Sequence, residues 1–112
     1  MAKKNRSKGL PHVGIERRTL KEKHWRSLSA AAKIFYIHLK GRYNGENNGL
    51  IQLPYSAMRD VKGCYHPRDI SMAIKELEEK KWIVRKKKGG LYRHENFYKL
   101  TFNHDFYACK NE

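Results

Sequence analysis

With 112 residues, the chain has room for one modest core, which excludes a multi-domain enzyme. Apolar residues make up 39% of it, with two Trp, seven Tyr and four Phe, too much large apolar surface for an entirely disordered tail. Its 25 Lys+Arg against 11 Asp+Glu leave a net charge of +14, beyond what a small domain needs for solubility. A polyanionic partner is the economical explanation, nucleic acid ahead of an anionic membrane surface.

The charge is segregated. Residues 1–26 carry nine basic and two acidic side chains, and residues 80–99 carry eight and one, so each segment holds +7. The stretch between them is nearly neutral, which predicts a folded body with two polyanion-contacting appendages. The longest apolar run, Ile34 to Ile37, is far short of a bilayer span, and MAKKNRSK lacks the apolar centre of a signal peptide. A cytoplasmic location is expected, with no membrane partner. Cys64 and Cys109 have no CxxC context, so reduced thiols are expected.

In chain order, residues 1–14 read as a basic arm in which Lys3, Lys4, Arg6 and Lys8 are free to follow a minor groove or simply to solubilise the chain. Thr19-Leu20-Lys21-Glu22 fits a capping box, predicting a short helix through Trp25 anchored by Leu20 and Trp25. Ser29 is a good N-cap for a helix reaching Tyr43, with Leu28, Ala31, Ala32, Phe35 and Leu39 on its apolar stripe. Ile34 and Ile37 lie off that stripe, to be covered by the N-terminal helix or by a second subunit, which leaves a homodimer open. Residues 44–49 form a turn, 50–53 a short strand, and 55–62 about two helical turns with Met58 and Val61 inward.

Pro67 at the first helical position and Asp69 in the first turn open a helix running to about Lys81. At 100° per residue, Ile70, Ala73, Ile74 and Leu77 share the core face, while Arg68, Ser71, Met72 and Lys75 look outward. Glu76, Glu78 and Glu79 would repel phosphate from its C-terminal half. Trp82-Ile83-Val84 and Asn96 to Phe102 then make a β-hairpin whose tip holds Arg85, Lys86, Lys87, Lys88 and Arg93, with Tyr98, Leu100 and Phe102 on one side.

This order of elements, and the run from Arg68 to Ile83 with its Leu77-Glu78-Glu79-Lys80-Lys81-Trp82-Ile83 ending, resembles the winged helix-turn-helix superfamily. Arg42 to Leu53 is similar to the first-helix exit in winged-helix segments of phage and plasmid replication proteins. Lys81 stands where many relatives place Gly, and His66 stands at an N-cap where Ser or Thr is common. The resemblance implies an α+β fold over residues 15–103, between the arm and a tail at 104–112. That fold comprises three main helices, a short N-terminal helix, and a β-hairpin wing with a short third strand. It also implies duplex DNA binding, with residues 67–81 in the major groove and 83–102 as the wing.

On that basis Arg68, Ser71, Met72 and Lys75 are candidates for base edges, set against an ordinary solvated helix face. Arg85, Lys86, Lys87, Lys88 and Arg93 are candidates for phosphates, set against the protection of an edge strand by lysine. The expected protein is a small transcriptional regulator or a replication or mobile-element accessory factor. An RNA- or ribosome-associated basic protein is the alternative. Neither Cys64-x-His66 nor His104-x4-Cys109 has a zinc-finger spacing, and no nucleophile–base or phosphate-cradling motif occurs. No metal, cofactor, small-molecule substrate or enzymatic activity is expected.

Overall fold

The computed structural model describes residues 12–87 and 97–104. These form an α+β domain with four helices: α1 (Arg17–Lys21), α2 (Lys23–Arg26), α3 (Ala30–Lys40) and α4 (Pro67–Glu79). A two-stranded antiparallel sheet, β1 (Ile83–Lys87) and β2 (Phe97–Leu100), completes it. Among the described residues no helix is long and apolar enough to cross a membrane.

The N-terminal helix differs from expectation. Thr19 is fully buried inside α1 rather than capping it; Glu16 takes the N-cap position, and the chain breaks at Glu22 into α2. Leu20 is 45% exposed and anchors nothing, because the helix phase turns its neighbour Thr19 inward instead. Trp25 does anchor, packing edge-on against Tyr36 and Trp82 at 6.2 and 5.7 Å between ring centroids.

Ser29 caps α3 as its position suggests, its hydroxyl accepting from the Ala32 amide at 3.2 Å. The helix stops at Lys40, three residues before Tyr43, with Gly41 as its C-cap. Its stripe enters the core through Ala32, Phe35, Tyr36 and Leu39. Ile34 is covered from within the chain by the turn at Gly63. A Cβ on Gly63 would lie 2.7 Å from Ile34 Cδ1, and φ +94° there is a conformation that glycine adopts without steric cost. Ile37 stays 37% exposed.

Residues 55–62 do not make two α-helical turns. The chain forms one 3₁₀ turn (Tyr55–Met58) and continues through bonds three residues apart, Val61 N–H to Met58 O and Cys64 N–H to Val61 O. So the third main helix is reduced to this turn, although Met58 is buried as expected. The third strand also shrinks, to a single bridge between Ile51 and Tyr98. Beyond that bridge the side chain of Asn48 replaces the ladder, its Oδ1 accepting from Leu100 N–H at 2.7 Å and its Nδ2 donating to Leu100 O at 3.0 Å. Pro54 has no amide with which to extend the pairing in the other direction.

α4 begins at Pro67, with His66 Nδ1 accepting from the Arg68 amide at 3.1 Å, so histidine does the work of the usual Ser or Thr. Ile70, Ala73, Ile74 and Leu77 are buried, the face that the periodicity assigns to the core. The helix ends in a Schellman motif, with Trp82 N–H donating to Leu77 O at 2.9 Å and Lys81 N–H to Glu78 O at 3.1 Å. Lys81 occupies the left-handed position at φ 68°, where the resemblance expects Gly. Its carbonyl is held by Thr101 Oγ1 at 2.7 Å and Asn103 Nδ2 at 3.2 Å, which ties the helix exit to the chain after β2.

The strands pair Ile83 with Leu100, Val84 with Lys99 and Arg85 with Tyr98, then shift so that Lys87 faces Phe97. Lys86 is the extra residue of this bulge, a feature that re-aims side chains at a strand end. Ile83, Tyr98 and Leu100 are buried, whereas Val84, Lys86 and Lys99 face outward.

Candidate nucleic-acid interface

The outward face of α4 presents Arg68, Ser71, Met72 and Lys75, all exposed, Met72 to 62%. Seven residues of helix separate the first from the last, about 10 Å at 1.5 Å per residue. Asp69 and Glu79 are exposed on the same helix, so this face carries as many acidic as basic groups. Met72 and Lys75, with Asp69, Glu76, Glu79 and Lys80, line a groove against Ser29 and Ala31 at the start of α3.

The glutamates of the helix's second half are not equivalent. Glu76 turns toward α3, accepting from the Ser29 amide at 2.8 Å and the Ser29 hydroxyl at 2.7 Å, with Lys80 Nζ at 3.5 Å. Burial pushes the Glu76 carboxyl up, but the Ser29 bonds and Lys80 outweigh it and hold the pKa below the usual value. Placed at the N-terminus of α3, the carboxylate also meets the positive end of that helix. Glu78 takes a two-pronged bond from Arg85, Nε to Oε2 at 3.1 Å and Nη2 to Oε1 at 2.9 Å. Two of the three carboxylates expected to repel phosphate are therefore committed to internal partners. Glu79 remains exposed.

Arg85, a sequence candidate for phosphate contact, is in this fork, with the guanidinium joining β1 to the last turn of α4. Lys86 is exposed at the bulge. Lys87 ends β1, its backbone in register with that of Phe97. The candidates Lys88 and Arg93, and Lys3, Lys4, Arg6 and Lys8, lie outside the described residues, as does Cys109.

Charge patterning alone missed a basic cluster on the folded body. Lys21 at the end of α1, with Lys23 and Arg26 at the two ends of α2, lines an open hollow with Ser27. The visible signal was the five basic residues in 17–26, which a count over 1–26 merges with the arm. Among the described residues, no three of His, Cys, Asp and Glu converge as a metal would require. Cys64 is fully buried, and that burial, with Asp69 nearby, pushes its thiol pKa up, away from a nucleophilic thiolate.

No family model, curated protein or solved structure matches the chain.

Proposed function

We propose that the chain is a non-enzymatic duplex-DNA-binding domain of the winged helix-turn-helix kind, with α4 as the recognition helix and the β1–β2 hairpin as the wing. The observation that carries this reading is the outer face of α4. Arg68, Ser71, Met72 and Lys75 stand exposed in one row on a helix whose opposite face is fully committed to the core. Arg and Lys donate to guanine O6 and N7, while a Met methyl packs on the thymine methyl, so the row has the chemistry for major-groove edges. The inward turn of Glu76 and Glu78 supports the same reading, since it removes two carboxylates from the surface presented to phosphate.

In this mechanism α4 chooses the sequence and Lys86, with the hairpin tip, supplies sequence-independent attraction. The Glu78–Arg85 fork fixes the angle between recognition helix and wing, so groove and backbone contacts form together. Such a protein serves as a small transcriptional regulator or as an accessory factor in replication or mobile-element biology.

The test is titration of Arg68→Ala, Lys75→Ala and Lys86→Ala against a selected duplex and a scrambled one at several salt concentrations. The helix variants should lose about 1–3 kcal/mol on the selected site and relax its preference, with less effect on scrambled duplex. Lys86→Ala should weaken both equally and make the log–log salt slope shallower by about 1. A wild-type chain that prefers RNA to duplex in competition, or that binds duplex without regard to salt, would overturn the reading.

A further inference from the structure

We infer that the α1–α2 corner is a second phosphate-binding surface, on which Lys21, Lys23 and Arg26 take backbone phosphates of the same duplex that receives α4. The inference rests on the duplex reading above and extends its footprint to a part of the fold that the reading does not use. Four observations carry it.

First, the charge there is concentrated and uncompensated. Of the five basic side chains in 17–26, Arg18 is paired with Glu16 at 2.7 Å, whereas among the described residues Lys21, Lys23 and Arg26 form no ion pair. Glu22 lies 3.4 Å from His24 rather than against these cations. Second, Lys21, Lys23 and Arg26 line one hollow together with Ser27, whose hydroxyl donates to His24 O at 3.3 Å, so three cationic donors border the space that a phosphate would enter.

Third, the backbone beneath them is fixed. Thr19 and Trp25 are buried on the inner side of α1 and α2, with Trp25 wedged between Tyr36 and Trp82. Lys80 Nζ bonds Ser27 O at 3.1 Å. The cations therefore project from a fixed backbone, so binding has to order their side chains but not the chain that carries them.

Fourth, the corner adjoins the proposed groove-reading face. Lys80 lines the groove beside Met72 and Lys75 and reaches Ser27, which lines the hollow. Because Arg68 and Lys75 are matched by Asp69 and Glu79, α4 has no net charge on its outer face to hold it against a polyanion. Flanking cations must supply that attraction, and the corner provides them on the side where α3 begins.

The test uses the full-length chain and compares Lys23→Gln/Arg26→Gln with Arg42→Gln/Lys62→Gln, which removes equal charge from the far end of α3 and the turn at Gly63. Binding to selected and scrambled duplexes is titrated between low and physiological salt, with melting temperature as the check on folding. The corner pair should make the log–log salt slope shallower by about 2, at roughly 0.9 per lost phosphate contact, and weaken both duplexes by the same factor. Lys21→Gln on the neighbouring helix should give about half that shift, and the control pair less than half.

A corner pair that keeps the wild-type slope, or a control pair that matches it, would overturn the inference while leaving the duplex reading intact. A wild-type chain that does not bind duplex at all would overturn both.

Discussion

Removing the Glu76 carboxylate should loosen the joint between α3 and α4 measurably. Glu76 accepts two bonds from Ser29, one from the amide at 2.8 Å and one from the hydroxyl at 2.7 Å, and those residues are 47 positions apart in the chain. Hydrogen bonds to a charged group contribute about 1.5–3 kcal/mol each when well shielded. Here the Glu76 side chain keeps 23% of its exposure and Ser29 is exposed, so solvent screening reduces the pair to about 1.5–2.5 kcal/mol in all. Glu76→Ala should therefore lower the melting temperature by roughly 6–15 °C in a domain of this size.

Glu76→Gln keeps one acceptor and should cost less, about 1 kcal/mol. Ser29→Ala keeps the amide bond to Glu76 but loses the hydroxyl bond and the cap of α3, and in the Glu76→Ala/Ser29→Ala double variant the shared hydroxyl bond should make the losses overlap by about 1 kcal/mol. Because the folded carboxyl has a lowered pKa, the latch is complete above the unfolded-chain value of about 4.3 and is lost as pH falls through the lower folded value. Urea unfolding of wild type and the four variants at pH 7 and across the acid range measures all of this. A Glu76→Ala variant within about 0.5 kcal/mol of wild type, or a cycle showing no coupling, would refute the latch.

Lys81→Gly should stabilise the chain by about 1 kcal/mol, since φ 68° costs a side-chain-bearing residue what it does not cost glycine, and the Thr101 and Asn103 bonds go to the Lys81 carbonyl, which the substitution keeps. Thermal unfolding that moves down instead would show that the lysine side chain contributes more than the strain. His104 stacks on His24 at 4.0 Å and leans on Trp82 at 5.3 Å. Burial and then His24 lower its pKa, outweighing Glu22 and the Lys80 backbone bond. The folded ring therefore resists the proton that the unfolded ring accepts. Stability should be full above about pH 6.5 and decline as pH falls below it, and His104→Gln should flatten that decline between pH 7.5 and 5.5, followed by urea midpoints.

Much of α4 was legible because its signals are local and mutually consistent. Pro67 and Asp69 mark its start, and the spacing of Ile70, Ala73, Ile74 and Leu77 fixes its phase without knowledge of what it packs against. The same holds for α3, where Ser29 caps a strong apolar stripe. Thr19 shows where local signals fail. A Thr-x-x-Glu spacing states that two groups can satisfy each other, but not that the Thr stays at the helix end, and the burial of Thr19 beside an exposed Leu20 is settled by tertiary packing. The 3₁₀ turn and the single Ile51–Tyr98 bridge fail similarly, being short elements whose form depends on neighbours such as Asn48, whose partner lies 52 residues away.

Electrostatics suffers most from this dependence, because a sequence count weighs every charge alike. The pairing of Glu76 with Ser29 and Lys80, and of Glu78 with Arg85, removes two acidic groups and one basic candidate from the surface open to a polyanion. Packing of Trp25 and Thr19 makes residues 17–26, counted by charge with the basic arm, a wall of the domain. The surface field that a duplex would meet therefore includes part of the folded body as well as the charged segments read from the sequence. Within the described residues it is a charge-balanced α4 face with a basic corner on the α3 side and Lys86 on the sheet side. If the chain binds duplex as proposed, attraction falls to the flanks and discrimination to the helix, so the salt slope and the sequence preference should respond to different substitutions.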